Sequence, residues 1–308
     1  MESGVPSILG GHVFEAGKTA AGTSGRRLWL ARWLSGAGGP LTARVFVNRV
    51  WQWHFGEGLV ATANDFGVMG QRPSNPELLD FLAGEFIRSG WNVKHLQKLI
   101  LRSNTFRVSS EWDERNAARD PEQTLLWRWK PRRLEAEVIR DSALSVTGSL
   151  NPAMYGPSIY PDLPKPVLAQ QSRPGDNWGK SPGSEAARRS IYIFAKRGLP
   201  VPEIDLLDAP DSTVSCERRR VSVTGPQALT LFNGAFSQQQ AARLAARIRT
   251  EGGGAPKGQV ARAFQLVLGR DASPRELDDS LSFLNASGGK LEPFCLVLLN
   301  TNEFFYLN

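Results

Sequence analysis

Three stretches hold the side chains best placed to do chemistry. The first is LTARVFVNRVWQWHFGEGLV, residues 41–60, with Asn64-Asp65-Phe66-Gly67 just beyond it. Arg44 and Arg49 interrupt an otherwise apolar helical pattern, and a buried guanidinium needs a carboxylate or carbonyl partner. Asp65 is the first candidate to supply one. The second stretch is RRLEAEVIRDSALSVT, residues 132–147. On a helix Arg133, Glu137 and Asp141 are four apart and Arg140 is three from Glu137, so they share a face. Such a face grips an anionic ligand or holds a carboxylate for acid/base work. It equally builds an internal ion network, the commoner outcome. In the third stretch Asp208 and Asp211 flank Pro210, and Cys216 precedes Arg218, Arg219 and Arg220. Guanidinium groups lower the pKa of an exposed thiol. Two carboxylates form a glycosidase-like pair if the fold sets their separation. The plainer reading of Cys216 is a small residue at a tight turn.

Several chemistries lack their residues. The three histidines (His12, His54, His95) are scattered, without an HExxH pair, and the two cysteines (Cys216, Cys295) carry no metal-ligand spacing, so no metal site is expected. No CxxCH occurs, so the chain is expected to hold no cofactor of its own, c-type haem included. GxSxG, Walker A and GxGxxG are missing. Asp65-Phe66-Gly67 spells the magnesium-binding tripeptide of protein kinases, but no glycine-rich loop or HRD accompanies it. Tyr155, Tyr160 and Trp178 offer rings that stack on sugars or tuck into a core.

The elements that must position these groups read as helices. The 41% apolar fraction, with nine Trp and fifteen Phe, is ample for a core. Helices are expected at 26–34, from 41 to Gly56, at 76–89 behind a Ser74 or Asn75 cap, and at 93–106. Others are expected at 132–147, 226–250, 260–268, 274–285 behind Ser273, and 291–305. Ser190–Ala195 has strand propensity, with Val221–Thr224 as its partner. The fold class is therefore mainly α: helical, bundle-like lobes with a small two-stranded β element and a long Pro/Gly-rich loop. The expected divisions are a flexible lead-in (1–25), an N-terminal helical lobe (26–148), the loop (149–189) and a C-terminal lobe (190–308) packed with the first as one unit.

The formal charge of +7 points to acidic partners; nine lysines leave 28 of the 37 basic residues as arginine, which favours fixed bidentate pairs over a loosely solvated face. No apolar run nears the roughly 20 residues a bilayer span needs. Residues 1–25 lack the basic start and apolar centre of a signal peptide. Read by itself, the chain is expected to be soluble and not self-exporting.

Several motifs come in a familiar order: LTARVFVNRVWQWHFGEGLV and NDFG, then NPELLDFLAGEFIRSGWNVKHLQKLILRSNTFR, WKPRRLEAEVIRDSAL and RRSIYIFAKR, and last DAPDSTVSCERRRVSVTGPQALTLFN and LLNTNEFFYLN. In these the chain resembles the planctomycete-type domain of unknown function, family 1553 (DUF1553). The resemblance implies a C-terminal module of exported or cell-envelope proteins that often carry a c-type cytochrome domain and an upstream companion domain. Neither is visible in this sequence, and the family carries no reaction to transfer. The leading expectation is a non-catalytic binding or assembly module for a partner protein or an acidic polymer. Two alternatives stand beside it: a hydrolase of a polysaccharide-like polymer using Asp65, Glu137, Asp208 or Asp211, and a nucleic-acid binder using a basic surface. The candidate polar cluster is Arg44, Arg49, Asp65, Arg133, Glu137, Arg140, Asp208, Asp211, Cys216 and Arg218.

Overall fold

Two sets of helices each close over their own apolar core. The computed structural model describes residues 4, 5, 9, 23–36, 38–169 and 178–307. Its contacts divide the chain into two units, Met1–Lys130 and Pro131–Asn308. Among the described residues there are fifteen α-helices and one two-stranded antiparallel sheet, so the protein is mainly α. No described helix is long and apolar enough to cross a membrane. The lead-in 1–25 falls largely outside the described residues, as do 170–177 of the long loop.

In the first unit α1 (Arg26–Ser35) precedes α2 (Gly39–Phe55), which ends at Gly56 with φ of 85°. A left-handed end is what this glycine is expected to provide. Ala43, Val47, Val50 and Trp51 of α2 pack on Leu79, Leu82, Ala83 and Phe86 of α3 (Pro76–Arg88), and on Leu96 and Ile100 of α4 (Val93–Leu101). Asn75 and Asn92 cap α3 and α4 through their side-chain oxygens. Asn48 is the polar exception on the buried face of α2. Fully buried, it donates to the Val60 carbonyl (2.9 Å) and accepts from the Val60 amide (2.8 Å), holding the chain beyond Gly58 against the helix. The helix expected to reach Phe106 stops at Leu101. The Ser103 hydroxyl takes the Ile100 carbonyl and the Phe106 amide, a local alternative to continued helix. A short α5 (Glu114–Arg119), capped by Asp113, follows.

The second unit begins with β1 (Arg132–Arg133), so the helix expected from Arg132 starts instead at Ala136, as α6 (Ala136–Val146). The short helices α7 (Lys165–Ala169), α8 (Gly183–Ala186) and α9 (Pro202–Asp205) come next. The single run expected over 226–250 divides at Gly234, whose ψ of 140° is extended, into α10 (Gly225–Asn233) and α11 (Ala235–Glu251). The unit closes with α12 (Pro256–Val267), α13 (Pro274–Ala286), α14 (Leu291–Leu298), α15 (Asn302–Phe305) and β2 (Tyr306–Leu307).

The two-stranded element thus exists, but not where propensity puts it. β1 pairs antiparallel with β2, Arg132 opposite Leu307 and Arg133 opposite Tyr306. Ser190–Tyr192 forms a 3-10 turn because Asp141 holds the Ser190 amide and hydroxyl, and Ile193 bridges to Ile159. The core centres on α11, whose Ala241, Leu244, Ala245 and Ile248 meet Leu291, Phe294, Cys295 and Leu298 of α14. Alanines at the contact let the helix backbones approach closely. Ile139 and Ala143 of α6 join that core, so α6 lies with the second unit, not with the segment before residue 131.

Candidate functional site: an arginine-clamped cavity in the second unit

Arg133 organises the entrance to the second unit. Its guanidinium donates to the Ser222 carbonyl (2.5 Å), the Leu207 carbonyl (3.0 Å) and Asp208 Oδ2 (2.5 Å). Asp208 also accepts from the Ser222 amide (2.8 Å), the Ser222 hydroxyl (2.7 Å) and the Gln227 carboxamide (3.1 Å). Gln227 is held in turn by a capping box with Thr224 at the start of α10. Asp208 sits at a φ of 64°, a left-handed conformation that Asp tolerates better than most residues. Burial pushes its carboxyl pKa up, but the Ser222 donors and Arg133 outweigh that and bring it to about 2. A carboxylate so committed stays ionised at neutral pH and has no oxygen free of a donor. It makes a structural clamp rather than a proton-transfer group.

Arg140 forms a second clamp. Buried on α6, it donates to the carbonyls of Ala186 (2.7 Å) and Arg188 (3.1 Å) and to the Ser190 hydroxyl (3.1 Å). Burial lowers its pKa, opposed by Asp141 and Glu203. Arg188, also buried, donates to the carbonyls of Ala153, Tyr155 and Pro157 and lies 4.0 Å over the Tyr192 ring. The two arginines therefore shape the chain between 151 and 190 by satisfying carbonyls that neither helix nor strand covers.

The other candidates divide by unit. Arg133 and Asp208 are brought together directly. Glu137 is held bidentately by Arg219 (2.6 and 3.1 Å), not by Arg133, which lies on a strand and shares no helical face with it. Burial lowers the Arg219 pKa, but Glu137 more than restores it. Asp211 caps its own turn through the Thr213 amide and hydroxyl, which lower its pKa. Cys216 and Arg218 are exposed on the segment that follows. Both cysteines are free thiols. Cys295 is buried, and burial raises its pKa to about 12.

Arg44, Arg49 and Asp65 belong to the first unit. Arg44 pairs with Asp80 at 2.6 Å, which raises the Arg44 pKa and lowers that of Asp80. Arg49 donates to the Asn64 carboxamide (2.7 Å). Asp65 is the partner of neither, because its Oδ1 accepts from the Gly67 amide in its own turn. Of the aromatic loop residues, Trp178 packs edge-on to Tyr160 and donates to the Pro161 carbonyl, while Tyr155 is exposed.

Between these clamps lies a cavity of about 510 Å³, inside the range of about 300–1,000 Å³ usual for ligand pockets. Its wall is mostly aliphatic and phenylalanine: Ile139, Leu207, Leu231, Phe236, Leu299 and Phe304. Arg140, Glu203, Gln240 and Asn300 add polar points. The cavity can enclose an apolar group and orient it through a few hydrogen bonds. Among the described residues no cluster of three or more His, Cys, Asp or Glu could hold a metal.

Sequence reasoning missed Gln240, the last of the three glutamines 238–240, and Asn300, just beyond the apolar α14. Neither position belongs to a motif that would single it out. Gln227 was findable from the Thr-x-x-Gln capping spacing.

A family model described as PSD1, protein of unknown function (DUF1553), matches residues 26–284. Neither a curated protein nor a solved structure matches the chain.

Proposed function

This chain belongs to the PSD1 family of proteins of unknown function, DUF1553, and from that premise we propose that it is a non-catalytic binding module whose second-unit cavity holds part of a partner protein. The observation that carries this reading is a contrast within the unit. Asp208 and Glu137 spend both oxygens on partners that include Arg133 and Arg219, and Asp211 spends Oδ1 on Thr213, while an apolar cavity that none of the three lines is open in the same unit. A polymer hydrolase needs a carboxyl that exchanges a proton near its working pH, and a group held at about 2 is ill suited to that.

An acidic polymer is the weaker occupant. Much of the arginine excess is already matched: Arg247 and Arg262 converge on Glu251, and Arg270 joins Glu276 to Glu303. The cavity itself carries Asp162 and Glu203 as well as Arg140 and Arg243.

The test is titration with the neutral apolar fluorophore N-phenyl-1-naphthylamine beside incubation with a polysaccharide panel. The reading expects saturable one-to-one dye binding, loss of that binding when Ser237→Trp fills the cavity, and no cleavage. Polysaccharide hydrolysis abolished by Glu137→Gln would establish the enzyme instead. Absence of saturable dye binding would also overturn the proposal.

A further inference from the structure

The cavity wall holds two carboxamides that are each half used. Gln240, 1% exposed on α11, has one end of its amide engaged by the hydroxyls of Thr147 (3.0 Å) and Ser149 (3.3 Å). Its other end has no partner among the described residues, although the side chain lines the cavity. Asn300, just after α14, spends its NH2 on the carbonyls of Leu231 (3.3 Å) and Leu296 (2.7 Å). Its Oδ1 has no partner among the described residues either. Neither free end is sealed from solvent, and an amide end left open in a cavity wall is a place where a ligand can complete it.

From these we infer that the cavity's ligand is a peptide segment of a partner protein, with an apolar side chain inserted among Ile139, Leu231 and Phe236 and its backbone amide hydrogen-bonded to Gln240 and Asn300. This rests on the reading of the cavity as a binding site.

The wall discriminates among ligand classes. An amphiphilic anion needs a free cation. Arg140 is spent on two carbonyls and a hydroxyl, and the one further cation of the lining, Arg243, is outnumbered there by Glu203 and Asp162. A sugar would draw on Asp162, Gln239 and Arg243, which also line the space, and the sugar comparison separates it from a peptide. A peptide needs what is present: apolar volume for a side chain, and a few amide groups that pair with a backbone.

The experiment uses the full chain with the same dye bound. A panel of N-acetylated tripeptide amides, each containing one Leu or Phe, is titrated against the complex. Dodecanoate, di-N-acetylchitobiose and depsipeptides in which an ester oxygen replaces the backbone N–H serve as comparisons. At least one tripeptide is expected to displace the dye, its depsipeptide to bind about tenfold more weakly, and Gln240→Leu to lose a similar factor for the peptide while keeping the dye. Displacement by dodecanoate or the sugar but by no tripeptide overturns the peptide inference and leaves the binding site standing, as does a depsipeptide that binds as well as its parent. Absence of dye binding removes both. If Gln240→Leu does not fold, the depsipeptide comparison on the unaltered chain decides.

Discussion

The guanidinium of Arg133 and the carboxylate of Asp208 meet at 2.5 Å, although 75 residues separate them in the chain. Both side chains are largely buried, 8% and 18% exposed. Removing one partner strands the other charge, which costs about 3 kcal/mol or more. Arg133→Met and Asp208→Asn are each expected to lower stability by about 3 kcal/mol in urea unfolding. The double variant should lose clearly less than their sum. Strict additivity would mean that the pair is not coupled.

Acid should weaken the second unit through the same aspartate. Asp208 titrates at about 2 in the folded protein, against about 3.9 for an unperturbed aspartate. A depressed carboxyl contributes its full stabilisation above the unfolded value and loses it as pH falls through the folded one. About 2 kcal/mol is therefore expected to disappear between roughly pH 4 and pH 2. Glu276, held at about 2 first by Arg270 and then by Ser273, acts in the same direction. Urea midpoints at pH 6, 4, 3 and 2 give the slope, and Asp208→Asn should flatten it. An unchanged slope in that variant would remove Asp208 from the account.

In the first unit the buried amide of Asn48 closes both hydrogen bonds to Val60. Asn48→Leu leaves the Val60 amide and carbonyl unpaired and is expected to cost about 3 kcal/mol. Gly58→Ala meets the same lock from outside: a Cβ there would lie 2.6 Å from the Asn48 carboxamide and from the Val60 carbonyl. Both variants should lower the thermal midpoint. A Gly58→Ala protein as stable as the parent would show that the turn can yield.

The two thiols should separate cleanly. Cys216 is exposed, whereas Cys295 is buried with its pKa raised to about 12. An aromatic disulfide reagent at pH 8 is expected to titrate one thiol in the folded protein and two after denaturation. Two fast-reacting thiols in the native state would contradict the packing of α14.

Much of the local structure was legible in the residues themselves. Asn75 and Ser273 cap their helices where Pro76 and Pro274 follow, and Gly56 ends α2, because caps and left-handed turns depend on a few neighbouring atoms. Where a local signal met a distant partner, the partner decided. Arg132 and Arg133 have helical neighbours yet form a strand, because Tyr306 and Leu307 supply its ladder. Ser190 has strand neighbours yet turns, because Asp141 takes its amide and hydroxyl.

By itself, then, the sequence determined a mainly helical protein, its family, most helix starts and the fact that its arginines would need partners. These follow from periodicity, capping chemistry and the cost of an unpaired charge, all local. Tertiary structure alone decided which partner each arginine found: Asp80 rather than Asp65 for Arg44, Asp208 for Arg133, and three neutral oxygens beside Asp141 for Arg140. It also decided that a cavity opens beside Gln240 and Asn300. Pairings and cavities depend on which distant surfaces are brought within a few ångströms, a distance that residue order does not encode directly.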